Sequence, residues 1–214
     1  MTITVLLADD HAVVRDGLRL LLEAQSDITV IGEASNGREI VSQAERLQPD
    51  VIVMDIAMPE LNGIEATRRI RAVYPSTHIV ILSMHSTSEH VFRAFQAGAL
   101  GYLLKESAGA EVVDAVRAAH ARRRYLSQKL VDSGIYDALD QRRAESPLDR
   151  LSAREREILQ LIVEGQSSAE IAGLLSLSPK TVETYRSRLM HKLGLGDLPS
   201  LVKFAIQHGL TPLN

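Results

Sequence analysis

The residues of this sequence best suited to chemistry are three aspartates, a serine and a lysine in its first half: Asp9, Asp10, Asp55, Ser83 and Lys105. Carboxylates held together repel one another, and a hard divalent cation with oxygen ligands, most naturally Mg²⁺, relieves that repulsion. With the cation neutralising a phosphoryl group, one carboxylate can attack phosphorus and become an acyl phosphate, while an ammonium and a hydroxyl hold the transferred oxygens. Asp55, Lys105 and Ser83 suit these three roles.

These residues follow predicted strands. The first 125 residues alternate short apolar runs with amphipathic stretches, which is typical of a parallel sheet with helices on both faces. In such a doubly wound sheet, functional groups gather beyond the carboxyl ends of the strands. A lone aspartate there is more often a helix cap, but joint placement at four strand ends favours one shared site. The five predicted strands span Thr4 to Ala8, Ile28 to Ala34, Val51 to Met54, His78 to Leu82 and Gly101 to Leu104, and the last three helices lie near 62–73, 87–97 and 109–124.

The last third of the chain has the pattern of a small helical domain. Serines followed three residues later by glutamate are capping boxes, and each precedes apolar residues at helical spacing. A glycine is expected to end the first of these helices, and a Ser-Pro pair to start the third. The signals are Ser152 with Glu155, Gly165, Ser167 with Glu170, Ser178-Pro179, and a fourth helical stretch from about Asp197 to Gln207.

Residues 179–193, treated as a helix, carry an apolar stripe on one side and a basic, hydroxyl-rich face on the other. A face of this kind, after a short turn from another helix, suits docking in the major groove of DNA. Charge alone favours the alternative of an ordinary solvated helix face. The apolar stripe is Val182, Leu189 and Leu193, and the opposite face is Lys180, Thr184, Ser187, Arg188 and His191.

Three stretches of the first half resemble the receiver domain of bacterial response regulators. They are Val5-Leu-Leu-Ala-Asp-Asp-His11, Val53-Met-Asp-Ile-Ala-Met-Pro59 with Asn62-Gly63, and Gly101-Tyr-Leu-Leu-Lys105. The resemblance implies that Asp55 is the phosphoacceptor and that a sensor histidine kinase is the phosphate donor.

The resemblance also implies the roles of the residues around the phosphoacceptor. Asp10 and Asp55 would bind Mg²⁺ together with the carbonyl of Ala57, Asp9 would assist through water, and Lys105 would contact the phosphate. Two further residues, Ser83 and Tyr102, match the switch positions of the family. There the hydroxyl moves to the phosphate and the ring turns inward, which shifts a pre-existing two-state equilibrium. Ordinary strand packing remains the alternative for Tyr102.

The C-terminal segment is similar to the LuxR-type helix-turn-helix, and with the receiver it resembles the NarL/FixJ class of response regulators. The matching stretches are Leu151-Ser-Ala-Arg-Glu-Arg-Glu-Ile-Leu159 through Gly165, Glu170-Ile-Ala172, and Ser178-Pro-Lys-Thr-Val-Glu-Thr-Tyr185 to Lys192-Leu193. The resemblance implies DNA-backbone contacts from Lys180, Thr181, Tyr185, Arg188 and Lys192, and base-edge contacts from Glu183, Thr184 and Ser187.

Two further features of this segment carry expectations. Arg186 lies beside the apolar stripe rather than on the groove face, so we interpret it as an ion-pair partner of Glu155 or Glu157. Some relatives have lysine where this chain has Glu183, so either the base preference differs or this residue stays outside the groove. In the fourth helix, Leu201, Val202, Ala205 and Ile206 form a stripe that can cover the small core, and in the family this helix also dimerises.

Composition narrows the class of protein. The chain has no cysteine, which leaves no disulfide, thiolate metal site or cysteine nucleophile. No apolar run approaches the roughly 20 residues of a membrane span, and the N-terminus lacks the features of a secretory signal, so we expect a cytoplasmic protein with no membrane partner. The net charge of −3 argues against a uniformly basic nucleic-acid coat, but residues 150–214 alone are positive.

The sequence therefore predicts an α/β, doubly wound, flavodoxin-like receiver with a five-stranded parallel sheet at residues 1–124. A linker at 125–149 and an all-α, four-helix helix-turn-helix domain at 150–214 follow. We expect a two-component regulator whose Mg²⁺-dependent phosphorylation on Asp55 controls homodimer formation and sequence-specific binding to double-stranded DNA. RNA polymerase is a further partner that such a transcription factor can contact.

Two alternatives remain open. The first is a phosphatase that forms an aspartyl-phosphate intermediate, but Ala57 stands two residues after Asp55, where a general acid would be needed. The second is a DNA-binding regulator that is independent of phosphorylation and whose receiver serves only as a dimerisation scaffold. The intact carboxylates argue against this second alternative without excluding it.

Overall fold

The structure is a computed structural model that describes residues 2–135, 146–208 and 210. The chain divides into two compact units, Met1–Arg142 and Arg143–Asn214. The predicted linker at 125–149 spans this division. Its central residues, 136–145, and the last four residues of the predicted DNA-binding domain, 211–214, lie outside the described residues.

The first unit is built on a parallel sheet in the order β2-β1-β3-β4-β5-β6. The doubly wound fold is confirmed, but the sheet has six strands where the sequence predicted five. The sixth strand contains only two residues, too few to show an alternating pattern. The strands are β1 (Ile3–Ala8), β2 (Ile28–Ala34), β3 (Val51–Asp55), β4 (His78–Ser83), β5 (Gly101–Leu104) and β6 (Tyr125–Leu126).

Helices cover both faces of this sheet, which explains why the central strands are continuously apolar. On one face α1 and α5 pack against each other, and on the other α2, α3 and α4 pack in sequence. The helices are α1 (Ala12–Glu23), α2 (Gly37–Leu47), α3 (Gly63–Val73), α4 (Ser88–Ala97), α5 (Ala108–His120) and α6 (Gln128–Asp132).

Helix α5 ends at His120, earlier than the predicted end at residue 124. Arg122 adopts the left-handed conformation with φ of 58°, and its N–H donates to the carbonyl of Ala119 at 2.9 Å. The N–H of Arg123 donates to the carbonyl of Ala118 at 2.8 Å. This turn sends the chain back along the sheet edge, so the start of the predicted linker forms β6 and α6.

The described residues of the second unit form a 3-10 turn at Pro147–Arg150 and four helices around their own apolar core. The predicted capping boxes of Ser152 and Ser167 are confirmed. Gly165 has φ of 87° just after the first helix, and Ser178 caps the third. The helices are α7 (Ala153–Val163), α8 (Ser168–Leu175), α9 (Pro179–Leu193) and α10 (Leu198–Gln207).

Candidate phosphoacceptor site and recognition helix

The carboxyl edge of the parallel sheet brings the predicted chemical residues together. Asp9 follows β1, Asp55 ends β3, Ser83 ends β4 and Lys105 follows β5. In the β3–β4 register Asp55 pairs with Leu82, one residue before Ser83. The side chains of Asp9 and Asp55 are almost fully buried, at 1% and 4% exposure. Residues up to 96 positions apart therefore share one pocket.

Lys105 connects the two buried aspartates. Its Nζ lies 2.7 Å from Oδ2 of Asp9 and 2.8 Å from Oδ2 of Asp55. The Asp9 contact is an ion pair rather than a well-directed hydrogen bond, because this carboxylate oxygen has no hydrogen-bond partner with suitable angles. Burial opposes the charged ammonium, but the attraction of Asp55 and Asp9 outweighs burial and raises the pKa of Lys105. Lys105 therefore stays protonated at neutral pH.

The electrostatics of Asp55 are set by opposing contributions. Burial raises the pKa of its carboxyl above 3.8, and the negative charge of Asp9 adds to this effect. The charge of Lys105 and the N–H of Ala57, which donates to the carboxylate, act in the opposite direction. A buried carboxylate beside an ammonium is poorly solvated, which favours nucleophilic chemistry.

Asp10 and His11 complete the cluster on its exposed side. Nδ1 of His11 lies 2.8 Å from Oδ1 of Asp10 and 3.1 Å from Oδ1 of Asp9. Ligand atoms of Asp9, Asp10, His11 and Asp55 all lie within 4.8 Å of one another. Crowded carboxylate oxygens are the donor set that Mg²⁺ prefers, so these residues fit the predicted cation. Sequence reasoning assigned His11 no role, although its position directly after the aspartate pair was a usable signal.

The two predicted switch residues also meet at this edge. The Tyr102 ring is fully buried, and its hydroxyl donates to the carbonyl of His85 at 2.8 Å. Oγ of Ser83 accepts from the N–H of His85 at 2.9 Å. Burial raises the pKa of Tyr102, so the phenol remains a donor. One loop residue, His85, thus links the ring and the hydroxyl; whether they move with phosphorylation stays a prediction.

In the second unit, most of the predicted DNA contacts lie on the exposed side of α9. The hydroxyl of Thr184 donates to the carbonyl of Lys180 at 2.9 Å, within the helix. Tyr185 is half-buried and packs against the domain core. Exposed members of the set are Lys180, Glu183, Thr184, Ser187, Arg188 and Lys192, whereas Thr181 and Tyr185 are partly buried.

Two side chains of α9 differ from expectation in their ion pairing. Nζ of Lys192 lies 2.7 Å from Oε2 of Glu155, and Glu157 pairs with Arg154 at 3.0 Å. Within residues 2–135 and 146–208, Arg186 forms no ion pair, so its predicted pairing with Glu155 or Glu157 is wrong. Lys192, at the end of the same helix, reaches the capping glutamate instead.

Comparison with known families matches both units. The model of the response regulator receiver domain covers residues 5–117, and the model of the bacterial regulatory proteins of the luxR family covers residues 149–205. Among the helices that the structure describes, none is both long and apolar enough to span a membrane.

Similar proteins extend over the whole chain. The uncharacterized transcriptional regulatory protein YxjL of Bacillus subtilis is 41% identical over 97% of each chain. Response regulator UvrY of Escherichia coli is 40% identical over 97% of this chain and 95% of its own. The crystal structure of response regulator ChrA matches with 37% identity, 98% coverage of each chain and a TM-score of 0.52. The RcsB–DNA complex matches with 26% identity, 95% and 98% coverage and a TM-score of 0.60.

The fold, the acidic pocket and the matched models define a response regulator, and the chain belongs to this family. Its LuxR-type DNA-binding domain places it in the NarL/FixJ class. It is a two-component response regulator of transcription.

Proposed function

We propose that Asp55 accepts a phosphoryl group from a sensor histidine kinase in the cytoplasm and that this modification controls DNA binding. The observation that carries the proposal is the contact of one ammonium, on Lys105, with two buried carboxylates at 2.7 and 2.8 Å. In the transfer, the bond from phosphorus to the kinase histidine nitrogen breaks as a bond from phosphorus to a carboxylate oxygen of Asp55 forms. Lys105 then changes partner from carboxylate to phosphoryl oxygen.

Magnesium belongs to this proposal as the cofactor of the pocket. Asp10, Asp55 and the Ala57 carbonyl would hold the ion directly, and Asp9 through water. When bound, Mg²⁺ supplies positive charge that neutralises the phosphoryl oxygens and screens the carboxylates from one another. The chain's own groups do the remaining work, because Asp55 is the nucleophile and Lys105 and Ser83 hold oxygens. The same groups would assist hydrolysis of the acyl phosphate, which makes the signal transient.

Ser83 and Tyr102 are proposed to carry the state of Asp55 to the surface. Ser83 Oγ accepts a hydrogen bond from the His85 N–H, and the Tyr102 hydroxyl donates one to the carbonyl of the same residue. If Ser83 turns to a phosphoryl oxygen, the His85 amide loses its acceptor and the loop between β4 and α4 must adjust. The two hydrogen bonds of His85 would thus shift the balance between two conformations of this loop.

The output is proposed to be a homodimer bound to double-stranded DNA. The exposed basic and hydroxyl groups of α9 support docking in the major groove, with Arg188 and Lys180 on phosphates. RcsB, a protein similar over the whole chain, has been captured with DNA. Each DNA-binding domain binds DNA weakly in a monomer. When phosphorylation favours the dimer, the DNA-binding domains of its two chains bind together. RNA polymerase is the proposed further partner, which the DNA-bound regulator would contact.

The test is DNA affinity with and without a small phosphodonor and Mg²⁺, using operator fragments selected from a random pool. The parent protein should bind more tightly after phosphodonor treatment, and Asp55→Asn should show no change. Equal affinities for both proteins in every condition would leave a regulator independent of phosphorylation. Sustained turnover of small phosphoesters would instead support a phosphatase.

A further inference from the structure

A second cavity lies at the opposite end of the receiver sheet, where the strands begin. Its volume is about 440 Å³, within the range of about 300–1,000 Å³ that small-molecule sites occupy. His78 begins β4 and Ser83 ends it, so at about 3.3 Å per residue the cavity lies on the order of 16 Å from the phosphoacceptor pocket. The lining residues are Arg71, Pro75, Ser76, His78, Leu100 and Arg122.

The two arginines of this cavity have no carboxylate in ion-pair contact among the residues that the structure describes. Within residues 2–135 and 146–208, neither Arg71 nor Arg122 forms an ion pair, whereas Arg117 on the other face of the same unit pairs with Asp27 at 2.7 Å. Burial lowers the pKa of His78, and the charges of Arg71, Arg122 and nearby His120 lower it further, whereas the smaller effect of the Asp50 carboxylate raises it. The cavity is therefore a local positive field in a chain of net charge −3.

Arg71 is held in place by the backbone around the cavity. Its Nη1 donates to the carbonyl of Thr77 at 2.8 Å and also to the carbonyl of Pro75. Gly98 has φ of +105°, and a Cβ added there would lie 3.1 Å from Cγ of Arg71. Glycine thus both ends α4 and leaves room for the arginine stem. A guanidinium fixed before binding loses less side-chain entropy when a ligand arrives.

Arg122 and His78 supply two further signs of a binding site. Arg122 holds a left-handed backbone, with φ of 58°, a conformation that residues with a Cβ rarely adopt. His78 is 8% exposed, and its Nδ1 is buried with no hydrogen-bond partner. Buried polar atoms in native proteins nearly always have a partner. An arginine with a left-handed backbone and a histidine whose buried Nδ1 has no partner therefore border the same cavity.

We propose that this cavity binds a small anion that carries a phosphoryl group on an apolar body. Arg71 and Arg122 would hold the phosphoryl oxygens, because guanidinium groups match their geometry in two-point hydrogen bonds. Pro75 and Leu100 would contact the uncharged part of the ligand. Such a ligand would be a second chemical signal to this regulator, bound at the end of the sheet opposite to Asp55.

The test is a titration of the full-length protein, kept free of Mg²⁺, with phenyl phosphate and with inorganic phosphate, followed through backbone amide resonances. Saturable shifts should appear at His78, Leu100 and Arg122, and phenyl phosphate should bind more tightly because of its apolar ring. Arg122→Gly should weaken binding about tenfold. Glycine accepts the left-handed backbone, so this variant is expected to keep its fold. Arg123→Gln, with the same change of charge outside the cavity, should alter affinity less than about twofold.

Several results would overturn the proposal. One is the lack of saturable shifts at the cavity residues, and another is equal affinity of Arg122→Gly and Arg123→Gln. Shifts confined to Ser83 and Lys105 would place phosphate in the Asp55 pocket instead. A short DNA duplex that shifts His78 when phenyl phosphate does not would identify a nucleic-acid contact. If Arg122→Gly shows a disturbed spectrum, Arg71→Gln provides the same comparison.

Discussion

The phosphoacceptor pocket and the recognition helix represent two ways in which a chain prepares for a partner. In the pocket, Asp9 and Asp55 are buried and their ion-pair partner, Lys105, belongs to the same chain. On α9, Arg188 and Ser187 are exposed to solvent. A buried charge without a partner costs desolvation free energy, so buried charges are paired within the chain. Exposed charges are solvated by water and need no partner until another molecule binds. The structure therefore defines the chemistry of the pocket more fully than the contacts of the helix.

The largest effect expected on the pocket comes from removing its nucleophile. Asp55→Asn should abolish phosphoryl incorporation from a small phosphodonor with Mg²⁺, because an amide cannot form the acyl phosphate. Intact-protein mass spectrometry measures the added phosphoryl group. Asp16→Asn, an exposed aspartate on α1, is the matched control and should be labelled like the parent. Labelling of Asp55→Asn at the parent level would place the phosphoacceptor elsewhere.

Removing the pocket's ammonium should reduce stability. Lys105→Met leaves two buried carboxylates facing each other and should lower the free energy of unfolding by about 3 kcal/mol at pH 7. Urea denaturation measures this change. The deficit should shrink as the pH falls toward 4, because Asp55, whose pKa is already raised, takes up a proton in the folded variant. Lys129→Met is the control: it breaks only an exposed pair with Glu106 and should cost less than about 1 kcal/mol. Equal losses in the two variants would contradict the account of the pocket.

The recognition helix should respond in the opposite manner, with a loss of binding and little loss of stability. Arg188→Ala should weaken DNA binding about tenfold and lower the salt dependence by about one counterion, while changing the free energy of unfolding by less than about 0.5 kcal/mol. Fluorescence anisotropy at several salt concentrations measures both binding quantities. Arg150→Ala, an exposed arginine before α7, is the control of equal charge. An unchanged salt dependence in Arg188→Ala would remove this residue from the interface.

Lys192 combines features of the pocket and of the exposed helix face, because its side chain is exposed yet pairs with a buried carboxyl. Lys192→Met should lower the free energy of unfolding by about 1 kcal/mol at pH 7, a value reduced by solvent around the ammonium. Burial raises the pKa of Glu155, but hydrogen bonds from Lys192 and Ser152 outweigh burial and hold it below 4.5. A lowered carboxyl pKa stabilises the fold above the unfolded value, and this stabilisation is lost as the pH falls through the folded value.

The difference between parent and Lys192→Met should therefore be full at pH 7 and disappear below about pH 3. Thermal unfolding across this pH range measures it. Lys180→Met, an exposed lysine at the start of the same helix, should show no such pH dependence. A difference between parent and Lys192→Met that persists at low pH would show that lost packing, rather than the Glu155 ion pair, explains the effect.

Sequence patterns predicted the features that depend on local chemistry or on strand order. The five strands and the capping boxes have local signatures, and the convergence of Asp9, Asp55 and Lys105 follows from parallel strands ending at one edge. The two-residue β6 has no periodicity to detect. The Lys192–Glu155 pair joins residues 37 positions apart, and the helical wheel indicated Arg186 instead because it contains no information about side-chain reach. The contacts of the exposed face of α9 stay predictions, because their partner is another molecule.

The most direct test of the central claim, that these carboxylates form one cation-binding phosphoacceptor pocket, is a calorimetric titration of Mg²⁺ into the full-length protein. The parent should bind one ion per chain. Asp10→Asn, a change at a partly exposed residue of the cluster, should weaken binding at least about tenfold, because it removes a charged ligand. Mg²⁺ affinity that is the same in the parent, Asp10→Asn and Asp55→Asn would contradict the account.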